Sequence, residues 1–131
     1  MTATYTYDVE RRALPDHEHR VFNTRSEVED FLFDVADRHT IPLELVEWIP
    51  ARSTCAYASA VTGTVTLPDD PFGRSIITTL HELAHVAAPV DAGHTTEWLY
   101  WFTYLLRHEV SITAEAALRF ELGIPSATPL R

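Results

Sequence analysis

The chain has 131 residues, 46% of them apolar, and its 19 acidic and 10 basic side chains give a formal net charge of −9. This length and composition predict one domain, residues 1–131, around a hydrophobic core. The acidic balance argues against a dedicated nucleic-acid-binding protein, which needs clustered basic side chains to contact phosphates. A single cysteine, Cys55, excludes an intramolecular disulfide and a cysteine-based zinc ribbon.

The sequence shows no targeting signal and no membrane span. Its first residues, MTATYTYDVERR, lack the charged start and apolar run of a secretory signal. The longest apolar stretch, Trp98–Leu106, is much shorter than the about 20 residues that cross a bilayer. We therefore expect a cytoplasmic protein without membrane contacts, and the lone cysteine is typical of a reducing compartment.

The N-terminal third predicts short strands followed by a helix. Residues 4–10 and 20–23 are expected to form the strands. The helix begins near Ser26 and ends near His39, since Pro42 prevents its continuation. Its apolar residues recur at helical spacing and define the buried face: Val28, Phe31, Leu32, Val35 and Ala36.

Two capping boxes compete at the start of this helix. Ser26 with Glu29 fits the pattern, in which the cap hydroxyl accepts from a backbone N–H and the acidic residue returns the contact. Thr24 with Glu27 fits it equally well in a register two residues earlier. The sequence leaves both registers open.

The central part predicts a small sheet. Leu43–Ile49 is one strand, and Cys55–Leu67 is either two strands or one strand bent around Gly63. Threonine and apolar residues alternate up to Leu67, which is typical of a strand with one polar face.

The C-terminal half predicts three helices, over about residues 74–88, 97–108 and 112–122. Pro89 stops the first helix, and Gly123 closes the last. The candidate N-caps are polar residues that precede each helix: Asp70 or Ser75, Thr95 or Thr96, and Ser111 or Thr113. The expected fold is α+β, with a short antiparallel or mixed sheet packed on the first of these helices.

The residues with chemical potential are His81-Glu82-Leu83-Ala84-His85, within that helix. Histidines four residues apart lie one turn apart on one face, so both imidazoles can bind one ion. Glu82 is rotated by about 100° and can reach a water on that ion. Neutral imidazoles with an open position suit Zn²⁺, so the motif predicts a zinc site.

A catalytic zinc site usually has three protein ligands, and His94 is the best candidate for the third. It follows a turn-rich loop, and the chain between it and His85 is long enough to return to the site. Alternative ligands remain open among the nearby acidic residues: Asp91, Glu97, Glu109 and Glu115. Glu97 could instead orient a ligand without binding the metal.

This arrangement resembles the zincin metallopeptidases. It is most similar to the small SprT-like group and to a related set of predicted metallohydrolases from actinobacteria and their phages. The similar segment runs from about Ala56 to Leu106, which is less than half of the chain, and includes His94 with Glu97 and Trp98 after it. Relatives carry a glycine where this chain has Thr95.

The resemblance implies that His81, His85 and His94 bind zinc and that Glu82 is the general base of a zinc-dependent metallopeptidase. The implied substrate is a peptide or protein, and an edge strand before the active-site helix would pair with it. Residues 63–67 are expected to form that strand. The DNA-repair relatives carry basic or zinc-ribbon elements that this sequence lacks, so DNA-dependent proteolysis is not expected. A phage-encoded relative would act in the host cytoplasm.

Two other functions remain open: a zincin-like domain that binds a partner without catalysis, and a zinc hydrolase of a non-peptide substrate. An intact Glu82 favours catalysis, because a binding domain needs no general base. Three tyrosines are candidate oxyanion donors: Tyr57, Tyr100 and Tyr104. Cys55 has no CxxC partner and is expected to be a small core residue. The oligomeric state is left open.

Overall fold

A computed structural model describes residues 20–53, 55–88 and 96–123. These residues form four helices and a three-stranded sheet, which confirms the α+β fold class. In chain order the elements are α1 (Arg25–Arg38), β1 (Leu45–Ile49), β2 (Tyr57–Ser59), β3 (Thr64–Pro68), α2 (Ile76–Ala87), α3 (Thr96–Glu109) and α4 (Ile112–Glu121). The strand expected at 4–10 lies outside the described residues. At 20–23, Val21 forms an isolated bridge with Ser75.

Helix α1 uses the earlier of its two capping registers. The Thr24 hydroxyl oxygen accepts a hydrogen bond from the backbone N–H of Glu27 at 3.1 Å. The helix ends at Arg38 with His39 as its C-cap, and Thr40 then takes a positive φ of 56°. This reversal directs the chain towards β1. Four of the five residues of the predicted apolar face of α1 are buried, and the fifth, Phe31, is partly buried.

The sheet has the strand order β1-β3-β2. Strand β3 runs parallel to β1 and antiparallel to β2, so the sheet is mixed. The segment Cys55–Leu67, expected to form either one bent strand or two strands, therefore contains two. Gly63 precedes the second of them and has a φ of 69°. A side chain at Gly63 would collide with the carbonyl oxygen of Pro42, so glycine allows this close approach.

The expectation that residues 63–67 form an edge strand is wrong. Strand β3 is central, because β1 and β2 occupy its two sides. The alternating threonines suggested a polar, exposed face, but Thr66 is only 2% exposed. Burial on both faces is the property of an interior strand. Among the described residues, β1 and β2 form the two edges of the sheet.

Helix α2 is the central helix of the described structure. It contacts α1, α3 and two strands of the sheet, β2 and β3. Ten of its twelve residues are buried, including the polar side chains of His81 and Glu82. A helix that is surrounded on most sides shields its polar groups from bulk water. The motif therefore combines polar side chains with burial, which is costly unless the side chains have partners or bind a metal.

Helix α3 packs on α2, and α4 packs on α3. The apolar residues of α3 enter the core, and the largest of them are fully buried: Trp98, Phe102, Leu105 and Leu106. Ser111, one of the two candidate caps, begins α4 by accepting from the N–H of Ala114 at 2.9 Å. The core prediction for Cys55 is wrong, because this residue is exposed. No helix in the described part of the chain is long and apolar enough to cross a membrane.

Candidate metal centre

The sequence around α2 holds the histidine motif in a well-defined helix. Ser75, one of the two predicted caps, accepts a hydrogen bond from the N–H of Ile77 at 3.2 Å. The N–H of Ile76 donates to the carbonyl of Arg20 at 2.8 Å, which ties the N-terminal segment to the start of the helix. At the other end the N–H of Ala88 donates to Ala84 at 2.9 Å. The start of the helix is therefore fixed by its cap and by Arg20, and helical hydrogen bonding continues past the motif to Ala88.

His81 and His85 lie one turn apart on α2, as the spacing predicts. Their ring centroids are 5.2 Å apart. Glu82 joins them, with its Oε2 3.9 Å from His81 Nε2. One ligand atom from each of the three residues lies within 4.8 Å of the others, and no other group of three metal-ligating side chains is as close in the described part of the chain.

The environment of the three side chains suits a divalent metal ion. His81 and Glu82 are each 2% exposed, and His85 is partly exposed. Buried ionisable groups are costly unless they have partners or bind a metal. Two imidazoles are ligands that Zn²⁺ accepts, and a carboxylate beside them can accept a proton from a water on the metal. The residues therefore fit zinc, and the partial exposure of His85 leaves the group open on one side.

Two aromatic side chains of α3, Trp98 and Phe102, pack against the histidine rings. The Trp98 indole stacks on the His85 ring, with centroids 5.2 Å apart and planes 21° from parallel. It also meets the His81 ring at 4.8 Å, and Phe102 meets the same ring at 5.5 Å. Trp98 Nε1–H donates to the carbonyl oxygen of His81 at 3.2 Å. The sequence did not predict that these aromatic residues contact the motif.

The third ligand predicted from the sequence, His94, lies outside the described residues, as does Asp91. Glu97 is described in the first turn of α3, where its side chain is exposed. It does not belong to the close group of His81, Glu82 and His85.

The two more distant alternatives are held by basic side chains elsewhere. Glu109 accepts two hydrogen bonds from Arg38, both at 2.8 Å. Glu115 lies 3.7 Å from Arg107 and 3.6 Å from Arg119. These ion pairs account for both carboxylates without a metal.

The three tyrosines considered as oxyanion donors have different surroundings. Tyr104 forms a hydrogen bond through its hydroxyl with His39 Nδ1 at 3.0 Å. Tyr100 stacks on Tyr104 with centroids 6.2 Å apart. Tyr57 is 54% exposed and lies on the edge strand β2, which contacts α2. All three tyrosines therefore lie on elements that contact α2, since Tyr100 and Tyr104 belong to α3, and Tyr57 is the most exposed of them.

Comparison of the chain with models of known protein families, with curated proteins and with solved structures finds no match.

Proposed function

We propose that this protein is a zinc-dependent metallopeptidase of the zincin type, nearest to the SprT-like group. One observation carries the proposal: two histidines on successive turns of a buried helix lie with a buried glutamate inside a 4.8 Å group. In this proposal His81 and His85 bind zinc together with His94. The reaction is assigned to the cytoplasm, because a lone cysteine is typical of a reducing compartment.

Zinc, when bound, would lower the pKa of its water towards about 7 and polarise a carbonyl. Glu82 accepts the proton of the attacking water and passes it to the leaving amine of the peptide. Burial supports this role, because a carboxylate shielded from water exchanges protons with the reactants rather than with solvent. His81 and His85 each place one ligand atom within 4.8 Å of the other and of Glu82, close enough to bind one ion.

A peptide substrate is supported by the sheet edge beside α2. Among the described residues, Tyr57–Ser59 pairs with β3 on one side only, and this strand contacts α2. An exposed strand edge can bind an extended peptide through backbone hydrogen bonds, which select sequence only loosely. The substrate of the proposal is therefore an extended segment of a peptide or protein.

The decisive experiment combines metal analysis of the purified protein with a peptide-library cleavage assay. We expect about one equivalent of zinc per chain and cleavage of extended peptides. Glu82→Gln is the matched control, because it removes the general base and keeps the ligands. We expect this variant to retain zinc and lose turnover.

Each alternative function gives a different result in this assay. Zinc with no hydrolysis of any substrate would indicate a binding domain. Glu82-dependent hydrolysis of a non-peptide substrate alone would indicate the other zinc hydrolase. Less than about half an equivalent of zinc in the wild type, or full activity of Glu82→Gln, would overturn the proposal.

Binding at the sheet edge has its own test. Substrates N-methylated at single backbone positions lose one hydrogen-bond donor each. Since successive residues of an added strand point their N–H groups alternately towards and away from the edge, methylation should reduce cleavage at every second position. Equal effects at all positions would argue against pairing along β2.

A further inference from the structure

We infer that Trp98 is a positioning residue that holds the rings of His81 and His85 in the orientation that binds metal. The inference rests on the proposed function, because it takes these two histidines to be ligands. It concerns a residue that contacts the ligands, not one that contacts the substrate.

A single indole contacts both imidazoles, and it contacts them in different ways. It lies nearly parallel to the His85 ring, at 21°, and is tilted by 57° from the His81 ring. The planes of the two imidazole rings are inclined to each other by 59°. Rotation of either ring about its Cβ–Cγ bond would therefore break its contact with Trp98 or drive it into the indole.

The indole is itself fixed. Trp98 is fully buried, and its Nε1–H donates to the main-chain oxygen of His81. Phe102 stacks on the indole, with the Trp98 and Phe102 ring centroids 5.2 Å apart. A rigid, hydrogen-bonded side chain can restrict its neighbours, whereas a mobile one cannot.

Restriction of the two rings strengthens metal binding, because rings that are free to rotate lose conformational entropy when the metal orders them. A metal-binding histidine is usually oriented by a partner on its second ring nitrogen, and loss of such partners weakens metal binding by about 10–100-fold. Stacking against a fixed indole supplies the same restriction through the ring face. Trp98 is the common contact of both histidines, whereas Phe102 has a ring contact with His81.

Zinc affinity of Trp98 variants tests this inference, measured by competition with a chromophoric chelator. Trp98→Leu removes the flat surface and the N–H, and we expect about 10–100-fold weaker binding. Trp98→Phe keeps an aromatic face and loses the N–H, so its affinity should lie between those of Trp98→Leu and the wild type. Trp101→Phe is the matched control on the same helix, since its rings pack on Tyr100 and Tyr104, and it should bind zinc as the wild type does.

Urea unfolding of the metal-free proteins separates positioning from general destabilisation. A purely structural role would lower the stability of the metal-free Trp98→Phe variant and leave the affinity of its folded form unchanged. Wild-type zinc affinity in both Trp98→Phe and a folded Trp98→Leu would overturn the inference. If Trp98→Leu does not fold, Trp98→Phe alone decides.

A measurement on otherwise intact histidines gives a second, independent test. The sequence has three tryptophans, so the double variant Trp48→Phe/Trp101→Phe leaves Trp98 as the single emitter. Paramagnetic Co²⁺ bound to His81 and His85 would lie next to the indole, and its emission should fall stoichiometrically with the added metal. Bound Co²⁺ without quenching would contradict the contact.

The outcomes also separate this inference from the proposed function. Zinc binding that depends on Trp98, without peptide cleavage, would overturn the proposed function and leave the positioning role standing. Peptide cleavage together with a zinc affinity that does not depend on Trp98 would support the proposed function and overturn the positioning role. A wild-type protein that does not bind zinc would overturn both.

Discussion

His39 Nε2 lies 2.9 Å from Glu109 Oε2, in a contact that joins residues 70 positions apart in the sequence. Both side chains are almost buried, at 10% and 6% exposure. The carboxylate also accepts two hydrogen bonds from Arg38, and the other nitrogen of His39 lies 3.0 Å from the Tyr104 hydroxyl. This network connects the C-terminal end of α1 to α3, the helix that also carries Trp98.

Glu109→Gln should destabilise the protein near neutral pH by roughly 2 kcal/mol, the usual contribution of hydrogen bonds to charged groups. The amide keeps one acceptor but loses the charge that faces Arg38. Chemical denaturation at pH 7 measures the change. Asp34→Asn is the control, because Asp34 contacts the same arginine from an exposed position, 64% accessible, and should change stability by at most a few tenths of a kcal/mol.

The pKa of Glu109 also predicts how stability depends on pH. Burial raises this pKa, but the hydrogen bonds and charges of Arg38 and His39 outweigh burial, so the pKa lies below its usual value. A carboxyl group with a depressed folded pKa stabilises above the unfolded pKa, about 4.3 for glutamate, and this stabilisation is lost as the pH falls through the folded pKa.

Below about pH 4.3, wild-type stability should therefore fall more steeply with acidification than that of Glu109→Gln. Urea unfolding at a series of pH values measures both slopes. Some slope should remain in the variant, because the hydrogen bond from Arg25 lowers the pKa of Asp69 as well. Parallel slopes would show that Glu109 has no depressed pKa.

The start of α1 gives a prediction that the sequence alone could not make. Thr24→Ala removes the hydroxyl that caps the helix and should cost about 1 kcal/mol of stability. Ser26→Ala is the matched control, because Ser26 lies inside the helix and is exposed. Its removal should cost about 0.5 kcal/mol or less. Thermal or urea unfolding distinguishes the registers, and the opposite order of effects would contradict the Thr24 cap.

Features of the fold that depend on neighbouring residues could be predicted from the sequence, and features that depend on distant residues could not. The helices and strands were readable from apolar spacing and from prolines, since these depend on neighbours in the chain. The sheet order was not readable, because strand pairing depends on distant segments. The alternation in residues 64–67 has the same appearance in an edge strand and in a central strand whose threonines are covered. Cys55 was misassigned for the same reason: its exposure is set by tertiary packing.

The candidate site shows the same division. His81, Glu82 and His85 are close because of helical periodicity, which is a local property that the sequence carries in full. The contacts of Trp98 arise from the packing of α3 on α2, and nothing in the spacing of the aromatic residues indicates which of them meets the histidines. Glu109 was an open alternative as a ligand because its distant partners, Arg38 and His39, could not be inferred.

The turn before β3 predicts a specific intolerance. Gly63 and Gly123 have similar positive φ angles, 69° and 71°, so an alanine at either position is strained by about 1 kcal/mol. At Gly63 the added methyl group would also collide with Pro42, whereas at Gly123 it meets no atom within 4 Å. Gly63→Ala should therefore lose several times more stability than Gly123→Ala. Equal losses in urea unfolding would mean that the approach of Pro42 is not close in solution.

Zinc should stabilise the folded protein, because helix α2 brings His81 and His85 together and the unfolded chain does not. At a free zinc concentration about 100-fold above the dissociation constant, the expected gain is about 2.7 kcal/mol. A chelator should remove this gain and lower the melting temperature by several degrees. His85→Ala should abolish most of the zinc-dependent shift. His108→Ala is the matched control, since His108 is an exposed histidine that packs on Tyr104 and lies outside the close group. Equal zinc-dependent shifts in the two variants would show that the metal binds elsewhere.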